Sequence, residues 1–566
     1  MNQTRTFLLF AMVAMAYLLW MAWEKDYAPP PLPVAAAPVA GQVDSSVPGA
    51  SGSAGATAPI PTTASDAGHA ASAQLITVTT DLLRLTIDTR GGSIVRSELL
   101  QFPATPRTKK EPNPPPTKLL DDDRLNFFAA QDGLVSSHGA APDHRALFQS
   151  TQTSYQLAEG QNELKIDLGW SDPSGVKVTK TYTLKRGSYV IDLAQKINND
   201  STGAWQGNAY EQLQRTASTV QHSWLQNMTD PASRSFTGAA WYSPEDKFSD
   251  LAFADFQKKP LDRSITGGWA SMLQHYFFVA WIPPATEANG YSTSVINPDT
   301  AQPDYLIRTV GPSLNVAPGQ STTVQSRLYI GPKLQGTLDL VAPGLELTTN
   351  YGWYTVIAQP LHWMLSKLES LCGNWGVAII LLVLVIKALM WKLTAAQFRS
   401  GAKMRKLQPR VAALKERYGD DKLKMQQAMM ELYKKEKVNP MAGCAPILVT
   451  FPVFLGLYRV LMESIELRHA PFLWVHDLSA PDPIWILPVL YIAVMLATQW
   501  LNPAAVGMDP TQAKMMKVMP ILFGVLFFFF PAGLVLYWVI STGSSLLQQW
   551  LITRSVDQAD LKAKTT

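Results

Sequence analysis

Two hydrophobic patterns divide the chain near residue 350. From about Leu75 to Leu345, apolar residues recur at every second position. Val176-Lys-Val-Thr-Lys-Thr-Tyr-Thr-Leu184 alternates in this way, as do Leu83, Leu85 and Ile87 with polar residues between them. A period of two puts successive side chains on opposite faces of a strand. Many such runs, broken by Gly, Pro and Asn-Asp turns, predict a large antiparallel β-sandwich over 75–345. Past residue 350 the apolar runs are long enough for membrane helices, at about 375–391, 445–462, 484–501, 518–530 and 532–552. Only Pro531-Ala532-Gly533 separates the last two, which predicts a tight hairpin of short spans. Ile357, Leu361, Met364, Leu365 and Leu368 fall at helical spacing with Trp353 and Trp363 nearby, so 346–372 should hold an amphipathic helix lying in the interface.

The N-terminus adds a sixth apolar run, Phe7 to Trp23, closed by Glu24-Lys25-Asp26. It is longer than the apolar region of most signal peptides and ends in Trp-Met-Ala-Trp, which favours an uncleaved anchor over 1–28. The alanines at 35–37 leave cleavage as the alternative. Residues 29–74 are Pro, Ala, Gly, Ser and Val with almost no aromatic side chains, a composition that cannot offset its ordering entropy and reads as a tether. The expected architecture is therefore a polytopic α-helical membrane protein. It has six transmembrane helices, five of them forming a core over 373–553, and carries a large all-β domain outside.

Composition agrees with two unlike materials in one chain. Charged residues make up 16% and the mean hydropathy is +0.01. Two cysteines in 566 residues exclude a disulfide scaffold. Cys372 and Cys444 fall at opposite mouths of neighbouring spans, too far apart to join. The net charge of +4 is a cancellation: residues 24–350 carry a net −6, whereas 392–440 carry 13 Lys and Arg against five Asp and Glu. The positive-inside rule places that basic segment in the cytoplasm. The loop 463–483, with Arg468 as its only base, then lies outside. Lys514 and Lys517 in the 502–517 turn lie inside, as does the 554–566 tail with Arg554, Lys562 and Lys564. Both termini are then cytoplasmic and the β-domain is external, which in a Gram-negative inner membrane means periplasmic.

Lys387 interrupts the most apolar run of the chain, about 12 residues or roughly 18 Å inside Trp375. It either faces a wet cavity or snorkels to the nearby cytoplasmic surface. Thr394 lies two turns further on the same face. In the last span Gly533, Tyr537, Ser541, Ser544 and Gln548 form one stripe, which serves close helix packing or a hydrated surface. Gln499 near the inner end of the fourth span could join that surface or cap its helix. Arg459 and Glu463 are four apart and should pair near the outer surface. The cytoplasmic segment 395–440 reads as a helical hairpin. Met404, Leu407, Val411 and Leu414 form one apolar stripe, Met425, Ala428, Met429 and Leu432 another, with Tyr418-Gly419-Asp420-Asp421 as the turn. Its basic faces suit anionic lipid, ribosomal RNA or an emerging polypeptide, or simply water.

Enzyme signatures are missing. The eight histidines are scattered without metal-binding spacing, and there is neither a Walker loop nor Cys-x-x-Cys. An intramembrane serine protease built on Ser541-Thr-Gly-Ser544 would need a general base, and no His follows His476. No cofactor, metal or DNA partner is expected. A solute transporter using the same cavity would want an outward path or an inverted repeat, and neither is visible. A periplasmic scaffold with a membrane anchor is the third class.

Lys437-Val-Asn-Pro-Met-Ala-Gly-Cys-Ala-Pro446, Phe451-Pro-Val-Phe454, Leu473-Trp-Val-His-Asp-Leu-Ser-Ala-Pro-Asp-Pro483 and Phe530-Pro-Ala-Gly-Leu-Val-Leu-Tyr-Trp538 closely resemble the YidC family of membrane protein insertases, within the Oxa/Alb superfamily. The resemblance is dense over 351–555 and rests mainly on layout over the β-domain. It implies insertion of nascent membrane proteins, alone or beside the Sec translocon, with the ribosome and signal-recognition machinery as transient partners and membrane lipids as surroundings. It also implies a super-sandwich fold for the β-domain and a hydrophilic groove, open to cytoplasm and lipid, carrying one basic residue. Lys387 stands where the family has arginine, so charge is kept but the bidentate fork is lost. A groove threonine of the family is replaced by Val383. The implied groove comprises Lys387, Thr394, Gln499, Gly533, Tyr537, Trp538, Ser541 and Ser544. Phe451, Phe454 and Pro520 would form an apolar slide for substrate. Arg399, Lys403, Arg405, Lys406, Arg410, Tyr418, Gly419 and Asp420 mark the receiving hairpin.

Overall fold

The computed structural model describes residues 73–217, 235–300, 302–349, 351–418, 421–436, 445–501 and 524–565, with single positions between 515 and 522. The first predicted span, nearly all of the tether, Gly419, Asp420, Cys444, Pro520 and the basic 502–517 turn, save an isolated position, lie outside the described residues.

The alternating half folds as expected into two facing sheets, one of 11 strands and one of nine, with strands running from Leu75 to Pro332. Period two sorts its residues: in Val176–Lys185 the residues at 176, 178, 180, 182 and 184 turn inward while the intervening ones stay wetter. The inner faces bury Ile76, Leu85, Ile166, Leu168, Leu193, Met272 and Trp281 in one core. Lys180 occupies one of these inward positions. Its Nζ lies 2.6 Å from Asp132 Oδ1, both side chains wholly buried, and donates to Gly91 O at 2.6 Å. Tyr182 Oη donates to Asp132 Oδ2 at 2.8 Å, and the Phe148 ring lies 4.8 Å from the ammonium. Burial pushes the Lys180 ammonium down, against the pull of Asp132.

The second half is helical. Its elements are α1 (Thr355–Cys372), α2 (Trp375–Leu389), α3 (Trp391–Tyr418), α4 (Lys422–Lys435), α5 (Ala445–Glu463), α6 (Ile486–Leu501) and α7 (Ala532–Thr565). Helix α1 buries Ala358, Leu361 and Leu365 against α2 and α5 and leaves Val356, Trp363 and Leu371 exposed, so it is amphipathic as its spacing predicts. The predicted spans at 375–391, 445–462, 484–501 and 532–552 coincide with α2, α5, α6 and the first part of α7. Yet among the described residues no single helix is long and apolar enough to cross a membrane; only α2 and α3, bent by 67°, pass together. Helix α2 has 15 residues, about 22 Å of rise against a hydrocarbon core of about 30 Å. Asn374 caps its start by accepting from Gly376 and Val377 N–H.

The β-domain is bonded to the C-terminal end of α5 and the loop that follows it. His275 Nε2 donates to Met462 O at 2.8 Å, and Arg468 Nη1 donates to Pro103 O at 2.9 Å while lying over the Phe277 ring. The expected Arg459–Glu463 ion pair does not form within 4 Å. Glu463 interacts electrostatically with both Arg459 and Lys333 of the β-domain, and burial has lowered the Lys333 ammonium to about 8. Desolvation, with Lys333 and Arg468 adding repulsion, likewise holds His275 down at about 4. The unfolded chain then takes up a proton between pH 6.5 and 4 that the folded junction refuses, so acidification through this window removes stability. The expected result is a Tm that falls more steeply from pH 7 to pH 5 in the native chain than in His275→Gln, read by circular dichroism in detergent. Parallel slopes would assign the acid sensitivity elsewhere.

Candidate functional site

Helices α2, α5 and α7 and the start of α3 enclose a cavity of about 320 Å3. Its lining combines Lys387, Thr394, Thr450, Ser541, Thr542 and Ser545 with Val383, Ile386, Phe451, Phe454, Tyr537 and Trp538. Lys387 is the only charged group in that lining, which holds no carboxylate or histidine. Lys387 turns toward α7. Its Nζ donates to Ser545 Oγ at 2.7 Å, and Ser545 Oγ in turn donates to Ser541 O at 3.0 Å. Among the described residues the ammonium has no other hydrogen-bond partner, so two of its three donors are left for the cavity.

Below the ammonium, Thr394 and Gln548 close the space between α3 and α7. Gln548 Nε2 donates to Thr394 Oγ1 at 2.7 Å and to Trp391 O at 3.3 Å, and Thr394 Oγ1 donates back to Met390 O. Above it, aromatic rings seal the other end: Phe454 lies 6.1 Å from Tyr537 and 4.9 Å from Trp538, and Trp538 lies 5.8 Å from Phe527. The loop following α5 then covers this end. Ala532 N–H and Gly533 N–H donate to Ala480 O and Leu478 O, and Asp482 accepts from Trp474 Nε1–H, from Ile484 N–H and from Leu487 N–H in the first turn of α6. Gly376 is needed here, because a Cβ would lie 2.2 Å from the Phe472 ring. The result is a pocket whose lining combines one cation with hydroxyl groups, aliphatic side chains and aromatic rings.

The predicted stripe is divided by the packing. Tyr537, Trp538 and Ser541 line the cavity with Lys387 and Thr394. Gly533 packs against Leu478 and Ile379, and Gln499 and Ser544 are absent from the lining. Ser545, Thr542 and Thr450 line it without having been singled out by the sequence pattern. Steps of four from Tyr537 through Ser541 lead to Ser545, the one available signal. Phe451 is exposed beside the cavity and Phe454 stacks within it. On the hairpin, Arg399, Lys403, Lys406 and Arg410 are exposed and Arg405 is half-buried. Arg410 pairs with Glu436 across α3 and α4, and Asp421 caps α4. Tyr418 lines a shallow groove between those two helices.

Comparison with known proteins accounts for nearly the whole chain. Residues 75–364 match the family model for the YidC periplasmic domain, and 367–559 match that for the 60Kd inner membrane protein. A protein of Stenotrophomonas maltophilia (strain R551-3) named membrane protein insertase YidC is 46% identical over 575 residues, covering 98% of this chain and 97% of that protein. One of the same name from Thioalkalivibrio sulfidiphilus (strain HL-EbGR7) is 42% identical over 579 residues, 99% of this chain and 100% of that protein. A solved structure titled as an active YidC insertase aligns over 84% of this chain and 92% of that one, at 18% identity and a TM-score of 0.35. With two family models end to end and relatives matched along their full length, this chain belongs to the YidC family of membrane protein insertases, Gram-negative inner-membrane proteins whose work is insertion and not covalent catalysis.

Proposed function

We propose that this chain inserts inner-membrane proteins by drawing the acidic, outward-bound segment of a substrate to Lys387 within a wet intramembrane cavity. In this reading six helices cross the membrane, both termini are cytoplasmic and the β-domain is periplasmic. Moving an ionised side chain into hydrocarbon costs about 2.5–3.5 kcal/mol on insertion scales; a cation and hydroxyl groups part-way across reduce that barrier. The shortness of α2 supports a bilayer that thins locally to meet it. Apolar segments of the substrate then leave along Phe451, Phe454 and Pro520 into lipid, driven by burial of apolar surface. The exposed bases of α3 suit the ribosome, signal-recognition machinery and anionic lipid headgroups, and the β-domain offers a surface for Sec translocon components.

The observation that carries the reading is the Lys387 ammonium, held inside the helical bundle by Ser545 with donors left over for a ligand. Photo-crosslinkers at positions 387 and 537 are expected to trap a stalled nascent membrane protein, while a probe at Trp363 on α1 does not. Absence of crosslinks from both cavity positions would remove this reading.

A further inference from the structure

The geometry points to Ser545 as the residue that positions the Lys387 ammonium for acidic substrate segments, a deepening of the proposal that Lys387 receives them. Lysine carries a long flexible stem, and from a site two residues before the end of α2 an unrestrained ammonium reaches the aqueous surface. Ser545 counters this in a specific way. Its hydroxyl proton is committed to Ser541 O at 3.0 Å, so its lone pairs face the ammonium, 2.7 Å away. The hydroxyl therefore acts as a pure acceptor toward Lys387, and the helix backbone sets its direction.

Thr394 is already engaged elsewhere. Thr394 Oγ1 donates to Met390 O and receives Gln548 Nε2, and it sits one end of the cavity below the ammonium. Val383, one turn before Lys387 on α2, offers no polar atom. Ser545 is thus the single side chain that holds the charge at cavity depth among the described residues. Because lysine is a point charge with rotatable donors, one anchoring acceptor leaves two N–H groups aimed at the cavity, enough to take a carboxylate. A hydroxyl at 545 consequently sets the preference for acidic over uncharged translocated segments.

The test uses the full-length chain in an insertase-depleted strain, with a single-span probe whose short translocated tail carries two Asp, and the same probe with two Asn. Ser545→Ala is expected to lower the ratio of Asp-tail to Asn-tail insertion on the order of tenfold, equivalent to about 1.4 kcal/mol. Ser545→Thr, which keeps the hydroxyl, should restore the ratio, and Ser545→Ala should add nothing in a Lys387→Ala background. Equal membrane levels of the variants, checked by immunoblotting, separate these effects from folding. Loss of both tails alike, or failure of Ser545→Thr to rescue, would overturn the positioning role. If Lys387→Ala lowers the ratio and Ser545→Ala leaves it unchanged, the role of Ser545 falls while that of Lys387 stands. If Lys387→Ala itself leaves the ratio intact, both fall.

Discussion

Replacing Lys387 by alanine is expected to cut insertion of a substrate with an acidic translocated tail by up to about 100-fold per carboxylate. The ceiling comes from the cost of an ionised side chain in hydrocarbon, since a tail without its cationic partner crosses a cavity lined by hydroxyls, aliphatic side chains and aromatic rings. Lys387→Arg should retain most activity. The guanidinium keeps the charge and brings more donors than one serine can satisfy, so its remaining donors still face the cavity. Growth of an insertase-depleted strain, together with protease protection of the inserted tail, reads both variants. Full complementation by Lys387→Ala would end the electrostatic account and leave thinning and the apolar slide as the means of insertion.

The largest effect on stability is expected far from the groove, at the Lys180–Asp132 pair. Lys180→Met leaves a carboxylate buried without its cation, and Asp132→Leu leaves an ammonium buried without its anion. Removing one partner of a buried pair costs about 3–5 kcal/mol. For a domain of this size that is a Tm loss of roughly 6–20 °C. The double variant Lys180→Met/Asp132→Leu should recover most of it, because the two desolvation costs disappear together. Tyr182 keeps an acceptor in that variant, its hydroxyl lying 2.8 Å from Gly92 O. Thermal unfolding of the detergent-solubilised chain, followed in the β-sheet signal, reads the cycle. Single variants melting with the native chain would show that water reaches the pair.

These two lysines mark how far the sequence could be read. Lys180 stands in phase with Val178 and Tyr182, so its inward direction was legible from period two. Its partner lies 48 residues earlier on another strand, and nothing local announces the pairing. Lys387 was conspicuous because charge in an apolar run is costly, yet cavity and snorkel fit its position equally well. The α7 stripe was read through Gly533, Ser544 and Gln548 because small and polar residues recur there at helical spacing. Packing against α2 and α3 selected a slightly rotated face, Tyr537–Ser541–Ser545, and turned Gly533 into a close contact with the loop between α5 and α6. Arg459 and Glu463 interact as their helical spacing suggests, though not within 4 Å, and the β-domain adds Lys333 as a second cation acting on Glu463.

By itself the sequence determined the division into a period-two half and an apolar helical half, and the oddity of Lys387. Those follow from local periodicity and from the free energy of single groups in water or hydrocarbon. Only the tertiary structure decided which hydroxyl meets Lys387, which buried charges pair, and how the β-domain is bonded to α5. Each of these is a contact between segments tens to hundreds of residues apart. Periodicity limits the face that an element presents, but the packing of its neighbours chooses the side chain that is met.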